Sequence, residues 1–372
     1  MNIIKRTIQK NIENSLFKNK IVIIYGPRQV GKTTLVKEIL KKFSENSIYF
    51  NCDEPDIREA LTEKTSTEIK TFIGNKKLVV LDEAQRIKNI GLTLKLIVDN
   101  FPEIQVIATG SSSFELSNKI SEPLTGRKYE FILYPFSLNE LKQLYNNIEI
   151  KRLVERFMIF GMYPEIVIKG NEKELKSLAQ SYVYKDILEF QNIKNPEILQ
   201  KLLQSLALQV GNEVSYNELA GLIGIDKNTV SNYIQILEKA FIIYRLTPFS
   251  KNIRNELKKL RKIYFYDNGI RNALINNLNP ISLRSDVGNL WENFLTTEII
   301  KKNANNEKDN KFYFWRTTGG QEIDLIEELE GKIKAYEFKW KKESFKFPKI
   351  FLENYPNTEF KLINKENFAD FL

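Results

Sequence analysis

The sequence predicts an α/β protein of several domains, with a parallel sheet near the start and a second α/β module at the end. Two continuously apolar runs, residues 21–25 and 78–81, have the composition of strands that are covered on both faces. After residue 262, strand-like runs again accompany an amphipathic helix. The chain has 372 residues, and single cores rarely grow past roughly 250 residues, so we expect two or three domains.

Composition narrows the classes of function. No histidine is present, which excludes histidine triads, histidine-ligated zinc and imidazole general bases. A single cysteine, Cys52, permits no intramolecular disulfide, so we expect a cytoplasmic protein. The apolar runs are far shorter than the roughly 20 residues of a membrane span, so no membrane partner is expected. The net charge of +9 suits DNA as a partner, although a general bias toward Lys, Asn and Ile would also produce it.

The first motif, GPRQVGKTT, lies between the apolar run 21–25 and a helical pattern. Strand, glycine loop and helix in that order are the context of a P-loop, whose backbone N–H groups surround phosphates at a helix N-terminus. Lys32 is expected to reach the β and γ phosphates of ATP, and Thr33 to ligate Mg²⁺. With Thr109 from a later strand, the candidate nucleotide-binding residues are Gly26, Pro27, Arg28, Gln29, Val30, Gly31, Lys32, Thr33, Thr34 and Thr109.

The second motif, KKLVVLDEAQ, places two acids at the carboxyl end of a buried strand. Asp82 is expected to hold Mg²⁺, and Glu83 to orient and deprotonate the water that attacks the γ-phosphate. Glu83 therefore favours hydrolysis over storage of the nucleotide. The alternative for Glu83 is an acid that only caps the next segment.

Three further strands are predicted around these motifs, at residues 47–53, 104–113 and within 124–140. Thr109 and Ser111, at the polar end of the second of them, are candidates to sense the γ-phosphate; the alternative is an ordinary serine-rich loop. Arg127 precedes the last strand and is a candidate to neutralise phosphoryl charge, in its own chain or in a neighbouring subunit of a homo-oligomer. A solvated arginine is the alternative.

Six motifs in matching order resemble bacterial and archaeal AAA-superfamily ATPases known as ATP-binding proteins. They are GPRQVGKT, VVLDEAQ, ATGSSS, LTGR, YPFSLNE and FGMYPE, and they span residues 1 to about 190. The resemblance implies that Lys32 and Thr33 contact phosphate and magnesium, and that Asp82 and Glu83 are the metal-holding and water-activating carboxylates. It also implies a sensor or finger role for Arg127.

The middle of the chain predicts a helix-turn-helix with a wing. A helix at about 197–210 precedes SYNELAGLIG and DKNTVSNYIQILEKA, and a strand-like run follows. Ser215 and Asp226 are expected to cap the second and third helices. Residues expected to face DNA are Lys227, Asn228, Thr229, Ser231 and Asn232. Only one of these is cationic, so packing against the protein's own nucleotide domain is an equal alternative.

A basic run follows the third helix. It contains Arg245, Lys251, Arg254, Lys258, Lys259, Arg261 and Lys262 against one acid, Glu256. Such a run is suited to a phosphate backbone, and a solvated linker is the alternative.

The tail has the spacing of acids and lysine that a metal-dependent nuclease requires. The alternative is an ordinary half-buried strand, in which charged and aromatic residues also alternate. Residues 322–340 are expected to form two short strands joined by a turn at Gly331. Strand alternation places Glu337 and Lys339 on one face, and Asp324 lies on the strand before. Glu292, on the upstream helix, is expected to complete a Mg²⁺ shell. Residues 262–340 resemble the domain of unknown function that follows this ATPase in the same family, which is similar to the PD-(D/E)XK nuclease fold. The resemblance matches Glu292, Asp324, Glu337 and Lys339 position by position.

The predicted fold class is therefore α/β: a P-loop NTPase parallel sheet with a helical lid, a winged helix-turn-helix and a C-terminal restriction-endonuclease-like α/β domain. The expected boundaries are 1–140, 141–195, 196–250 and 251–372. The expected function is Mg²⁺-dependent ATP hydrolysis that controls a DNA-binding winged helix and a metal-dependent nuclease. The alternative is an ATP-driven switch whose C-terminal domain binds protein or nucleic acid without cleaving it.

Overall fold

A computed structural model describes residues 3–111, 120, 123–181, 195–250, 261–341 and 344–372. The chain forms two compact units. The first comprises Met1–Pro135 with Lys239–Phe241, and the second comprises Phe136–Glu238 with Ile242–Leu372. Among the described residues, no helix combines the length and the apolar character that crossing a bilayer requires.

The first unit is built on a five-stranded parallel sheet. Its strands are β1 (Ile21–Tyr25), β2 (Ser47–Asn51), β3 (Leu78–Asp82), β4 (Gln105–Gly110) and β5 (Lys128–Ile132), in the spatial order β2-β3-β4-β1-β5. Every residue of β1, β3 and β4 is buried, as expected of parallel strands that are covered on both faces. The predicted α/β class with a parallel sheet is confirmed.

Helices cover this sheet and complete its core. They are α1 (Gln9–Asn14), α2 (Lys32–Leu40), α3 (Pro55–Leu61), α4 (Ser66–Ile73) and α5 (Ile90–Asn100). Helix α2 directs Leu35, Val36 and Ile39 into the core against β1 and β3. Because the strands are parallel, the loops after β1, β3 and β4 leave the same edge of the sheet.

The second unit begins with a series of helices. The described helices up to residue 239 are α6 (Leu138–Leu141), α7 (Asn147–Phe160), α8 (Pro164–Ile168), α9 (Glu172–Gln180), α10 (Pro196–Leu208), α11 (Tyr216–Ile223) and α12 (Lys227–Lys239). Those that follow are α13 (Asn268–Leu274), α14 (Val287–Asn305), α15 (Lys349–Asn354) and α16 (Phe368–Phe371).

A seven-stranded mixed sheet organises the second unit. Its strands are β6 (Glu213–Val214), β7 (Ile243–Pro248), β8 (Arg261–Phe265), β9 (Lys311–Arg316), β10 (Glu322–Leu329), β11 (Lys332–Phe338) and β12 (Glu359–Ile363). The spatial order is β12-β11-β10-β9-β7-β8-β6. Strands β10 and β11 form the predicted hairpin, and Gly331 at its turn has a φ of 78°, which glycine adopts without steric cost.

Strands from two predicted domains pair within this sheet, since β7 lies beside β9 through Thr247↔Tyr313 and Pro248↔Phe314. Helix α14 is buried along much of its length, and Asn293 on it bonds both the N–H and the carbonyl of Phe265 on β8. That contact fixes the helix beside the sheet. The four domain boundaries of the sequence remain predictions.

Candidate functional site

The loop of residues 26–31 has a backbone that its glycines permit. Gly26 has a φ of 153°, and a Cβ at this position would lie 2.2 Å from the carbonyl oxygen of Leu133. Gly31 has a φ of 98° and caps α2, while Gln29 between them has a φ of 59°. Pro27, Arg28 and Val30 complete the loop, and Thr34 lies in the first turn of α2. The loop therefore ends at a helix N-terminus, where backbone N–H groups and the helix dipole favour anions.

Lys32 is buried at the start of α2, with 4% of its surface exposed. Its ammonium donates to the carbonyl oxygens of Gly26 and Pro27, each at 2.9 Å. The loop thus folds around a fixed positive charge. A cationic, amide-lined loop of this kind fits the phosphates of a nucleotide.

Asp82 lies at the carboxyl end of β3 and receives three hydroxyl donors. Thr33 Oγ1 and Tyr49 OH each donate to Oδ2 at 2.6 Å, and Thr109 Oγ1 donates to Oδ1. The structure therefore brings together Thr33, Asp82 and Thr109, which the sequence placed on three separate segments. A carboxylate and a hydroxyl in contact are the oxygen ligands that Mg²⁺ takes in such sites.

Tyr49 is a site residue that the sequence analysis missed. It lies on β2, where a half-buried aromatic side chain is ordinary core material. Burial, and then the hydrogen bond to Asp82, raises the pKa of Tyr49 above its ordinary value. The phenol therefore stays protonated and donates to Asp82 at any working pH.

Glu83 follows Asp82 in a left-handed backbone conformation with a φ of 55°. Its N–H donates to Thr109 Oγ1 at 3.1 Å, and its carboxylate accepts from Gln85 Nε2 at 2.6 Å. The same Gln85 nitrogen donates to Ser111 Oγ at 3.3 Å. Gln85 therefore orients the carboxylate of Glu83, the predicted base. It lies inside the second motif, but its role was not predicted from the sequence.

Arg127 lies at the opposite edge of the sheet. Its carbonyl oxygen accepts from the N–H of Ile21, at the beginning of β1, whereas the phosphate loop follows the end of β1. Its guanidinium pairs with Asp99 at 2.7 Å and is 43% exposed. Within its own chain Arg127 therefore does not reach the site, which corrects that half of the prediction; a role in a neighbouring subunit stays a prediction.

A second cluster of charges lies in the second unit, where the hairpin strands meet α14. Asp324 Oδ2 accepts from the backbone N–H of Phe338 at 2.8 Å, which fixes it beside the end of β11. Lys339 pairs with Glu337, and its Nζ lies 3.9 Å from Asp324 Oδ2. The structure therefore brings Asp324, Glu337 and Lys339 together as the spacing predicts.

Glu292 joins the cluster from α14, together with Glu322, which the sequence analysis missed. Oxygens of Glu292, Glu322 and Asp324 lie within 4.8 Å of one another. Glu292 Oε1 accepts from Tyr264 OH at 2.6 Å and from Lys262 Nζ at 2.8 Å. Glu322 and Asp324 are two apart on β10, so strand alternation places both on one face.

The position of Lys262 corrects the prediction that this residue of the basic run contacts a phosphate backbone. Its side chain is 2% exposed and pairs with Glu292 and Glu322 inside the cluster, so it does not face a phosphate backbone. Arg245 likewise pairs with Glu238, and the Arg261 guanidinium lies over the Tyr216 ring at 5.4 Å. The other predicted members, Lys251, Arg254, Lys258, Lys259 and Glu256, lie outside the described residues.

The electrostatics of the cluster favour a bound cation. Burial, and then the charges of Glu292 and Glu337, raises the pKa of Asp324 well above its ordinary value despite Lys262 and Lys339. Burial also raises the pKa of Glu337. Oε2 of Glu337 is buried and has no hydrogen-bond partner among the described residues. A carboxylate oxygen left in this state fits a hard divalent cation, which takes oxygen ligands.

The predicted helix-turn-helix segments are helical. Asp226 accepts from the N–H groups of Asn228 and Thr229 at 2.8 and 3.0 Å and so caps α12. Helix α12 buries Val230, Ile234 and Leu237, as its periodicity predicts. Lys227, Asn228 and Asn232 are exposed, and Thr229 and Ser231 are half-buried. DNA recognition by this helix stays a prediction.

Comparison with known protein families matches three segments of the chain. Residues 18–142 match the model of an AAA domain. Residues 151–280 and 287–367 match the models of two domains of unknown function, DUF8612 and DUF4143.

Similar proteins come from archaea and bacteria. The uncharacterized protein MJ1544 of Methanocaldococcus jannaschii is 29% identical over 370 residues, covering 89% of this chain and 81% of that protein. The uncharacterized protein Rv2008c of Mycobacterium tuberculosis is 26% identical over 343 residues, covering 90% and 74%. An uncharacterized protein of Haemophilus influenzae is 25% identical over 380 residues, covering 95% and 88%.

Among solved structures, the Pif1 helicase from Candida albicans aligns with 41% of this chain and 44% of its own at 14% identity. Its TM-score of 0.27 is too low to carry a conclusion. The AAA-domain match, the parallel sheet and the phosphate loop together support an AAA-type P-loop ATPase domain in the first unit.

Proposed function

We propose that the protein binds ATP with Mg²⁺ and hydrolyses it in the first unit. The observation that carries the proposal is the grouping of the Lys32 ammonium, the Thr33 hydroxyl and the Asp82 carboxylate at one edge of the sheet. Mg²⁺ held at Thr33 and Asp82 would neutralise phosphate charge. Lys32 and the loop N–H groups bind and orient the phosphates.

Glu83 is the residue to which we assign proton abstraction from the attacking water. It is adjacent to Asp82, and Gln85 holds one of its carboxylate oxygens. Thr109 contacts both the Asp82 carboxylate and the Glu83 N–H, so it connects the two acids. That connection suits a residue that responds to the γ-phosphate.

The test is binding of ATP and release of phosphate by the purified full-length protein with and without Mg²⁺. We expect Lys32→Ala to abolish binding, because it removes the cation around which the loop is built. A matched control is Lys41→Ala, which removes a lysine that is 67% exposed just after α2. ATP binding by Lys32→Ala at the wild-type affinity would refute the proposed site.

A second function, metal-dependent cleavage of nucleic acid in the second unit, is favoured by one specific observation. This is the buried Oε2 of Glu337, which lies beside Asp324 and Lys339 and has no hydrogen-bond partner in the part of the chain that the structure describes. Asp324 and Glu337 would hold a divalent cation, which supplies Lewis-acid chemistry to a phosphodiester. Burial alone would lower the pKa of Lys339, but the charges of Asp324 and Glu337 outweigh it and raise that pKa. Lys339 therefore stays cationic and can orient a water or a phosphate oxygen.

The cleavage test incubates the full-length protein with single-stranded, duplex and branched DNA, with Mg²⁺ or Mn²⁺, and with or without ATP. Lys339→Ala is the variant that should lose cleavage. Cleavage that persists in Lys339→Ala would refute the assigned site. An ATP-dependent mobility shift without cleavage would instead support a switch that binds nucleic acid and cuts nothing.

DNA remains the partner that we propose for the second unit. The net charge of +9 and the exposed polar start of α12 support it. The burial of Lys262 and the pairing of Arg245 remove two cations from the surface that was expected to follow the backbone. Binding that weakens steeply with added salt would support phosphate contacts.

A further inference from the structure

Lys262 is placed with unusual rigidity for a lysine. It lies on β8, where its backbone pairs with Glu213 on β6 and with Leu246 on β7. Its side chain is 2% exposed and crosses the ring of Phe314 at 5.6 Å from the ring centroid. The ammonium is therefore held in one position rather than sampling many rotamers as surface lysines do.

That position lies between two of the three clustered carboxylates. Lys262 Nζ is 2.8 Å from Glu292 Oε1 and pairs also with Glu322. Oxygens of Glu292, Glu322 and Asp324 lie within 4.8 Å of one another, a spacing that a divalent cation could bridge. An ammonium and a divalent ion cannot share this small space, because like charges at contact distance repel strongly.

The two lysines of the cluster neutralise its carboxylates unevenly. Glu292 and Glu322 receive the Lys262 ammonium, and Glu292 also accepts from Tyr264. On the other side, Asp324 and Glu337 share Lys339, and Glu337 still has a buried oxygen without a partner among the described residues. Within the described ranges, a buried carboxylate oxygen that lacks a positive partner therefore remains on the Asp324–Glu337 side of the cluster.

We propose that Lys262 is a built-in second cation: its ammonium occupies the place between Glu292 and Glu322, so the cluster takes a single divalent ion, on the Asp324–Glu337 side. This inference rests on the proposed divalent-ion site of the second unit. Two-metal phosphodiesterases hold two ions about 4 Å apart. In this protein the fixed ammonium of Lys262 occupies the position of the second ion. Lys262 acts as a positioning residue for Glu292 and Glu322.

The test counts Mn²⁺ ions bound to nucleotide-free, full-length protein by calorimetry and electron paramagnetic resonance. Lys262→Met is expected to bind one more ion than the wild type, and the added ion should disappear in Lys262→Met with Glu322→Gln. Lys262→Arg, which keeps a cation, should bind the wild-type number. The matched control is Lys339→Met, which removes an equal charge from the same cluster and should add no ion between Glu292 and Glu322.

An unchanged ion count in Lys262→Met, or an added ion in Lys339→Met as well, would overturn the proposal. So would a Lys262→Met chain that does not fold even with Mn²⁺, because the ion would then fail to replace the ammonium. The charge-balanced variant with Glu322→Gln should fold without Mn²⁺. The difference between wild type and Lys262→Met tests this inference, whereas the ion lost in Glu337→Gln tests the proposed function, so the two can fail separately.

Discussion

Tyr49→Phe removes one hydroxyl from the nucleotide site and leaves the ring. The hydroxyl donates to Asp82 Oδ2 at 2.6 Å, the oxygen to which Thr33 also donates. When Mg²⁺ binds to Thr33 and Asp82, the Tyr49 hydroxyl and the ion compete for the same oxygen, Asp82 Oδ2. A hydrogen bond to a charged group contributes about 1.5–3 kcal/mol, so losing this competitor should strengthen metal binding by about 1.5 kcal/mol or more, which is at least roughly tenfold.

The assay is the affinity for ATP with Mg²⁺ divided by the affinity with a chelator, a ratio that isolates the contribution of the metal. We expect this ratio to rise at least about tenfold in Tyr49→Phe. The Lys37 ammonium lies 4.9 Å from the Tyr49 ring centroid, and phenylalanine retains that contact. Tyr129→Phe is the matched control, because Tyr129 packs against the same core with Lys20 over its ring at 4.8 Å. An unchanged or lower ratio in Tyr49→Phe would refute the competition.

Two further predictions concern stability and subunit roles. Burial raises the pKa of Asp267 to about 6 from 3.8, although the N–H groups of Met162 and Ile270 donate to it. The stability that Asp267 contributes is therefore fully present below its unfolded pKa and is lost as pH rises through about 6. In urea unfolding between about pH 4 and 7, the wild type should lose roughly 2 kcal/mol of unfolding free energy relative to Asp267→Asn. Equal pH profiles of the two proteins would contradict this prediction. Arg127→Ala removes an exposed ion pair with Asp99, so its free energy of unfolding should stay within about 0.5 kcal/mol of the wild type and its ATP affinity should not change. A large loss of affinity in Arg127→Ala under conditions where the protein is a monomer would contradict its position at the far edge of the sheet.

The sheet of the first unit could be predicted because its strands carry strong local signals. The runs 21–25 and 78–81 are continuously apolar, and the glycine loop and paired acids follow them directly. In a parallel sheet the carboxyl ends of strands meet at one edge, so Thr33, Asp82 and Thr109 could be placed together from order alone. The hairpin of β10 and β11 was predicted for a similar reason, since alternation and Gly331 mark it locally.

The remaining site residues depend on pairings that no local pattern reveals. Tyr49 resembles any core aromatic until β2 is known to lie beside β3. Lys262 appeared as one of several cations, and only the pairing of β8 with β7 and β6 together with the packing of α14 turns it toward Glu292. Arg127 is the opposite case, because a residue that precedes a parallel strand lies at the amino end of the sheet, away from the phosphate loop, and the order of the sequence already contains that information.

The most direct test of the central claim compares phosphate release by wild type and Glu83→Gln in a single turnover with ATP and Mg²⁺. We predict that Glu83→Gln binds ATP with the wild-type affinity and releases phosphate at least about 100-fold more slowly, because a positioned general base contributes about 10²–10⁴ in rate. Glu103→Gln is the control, since Glu103 is exposed and pairs only loosely with Lys70 at 3.4 Å. Wild-type turnover by Glu83→Gln would contradict the assignment of ATP hydrolysis to this site.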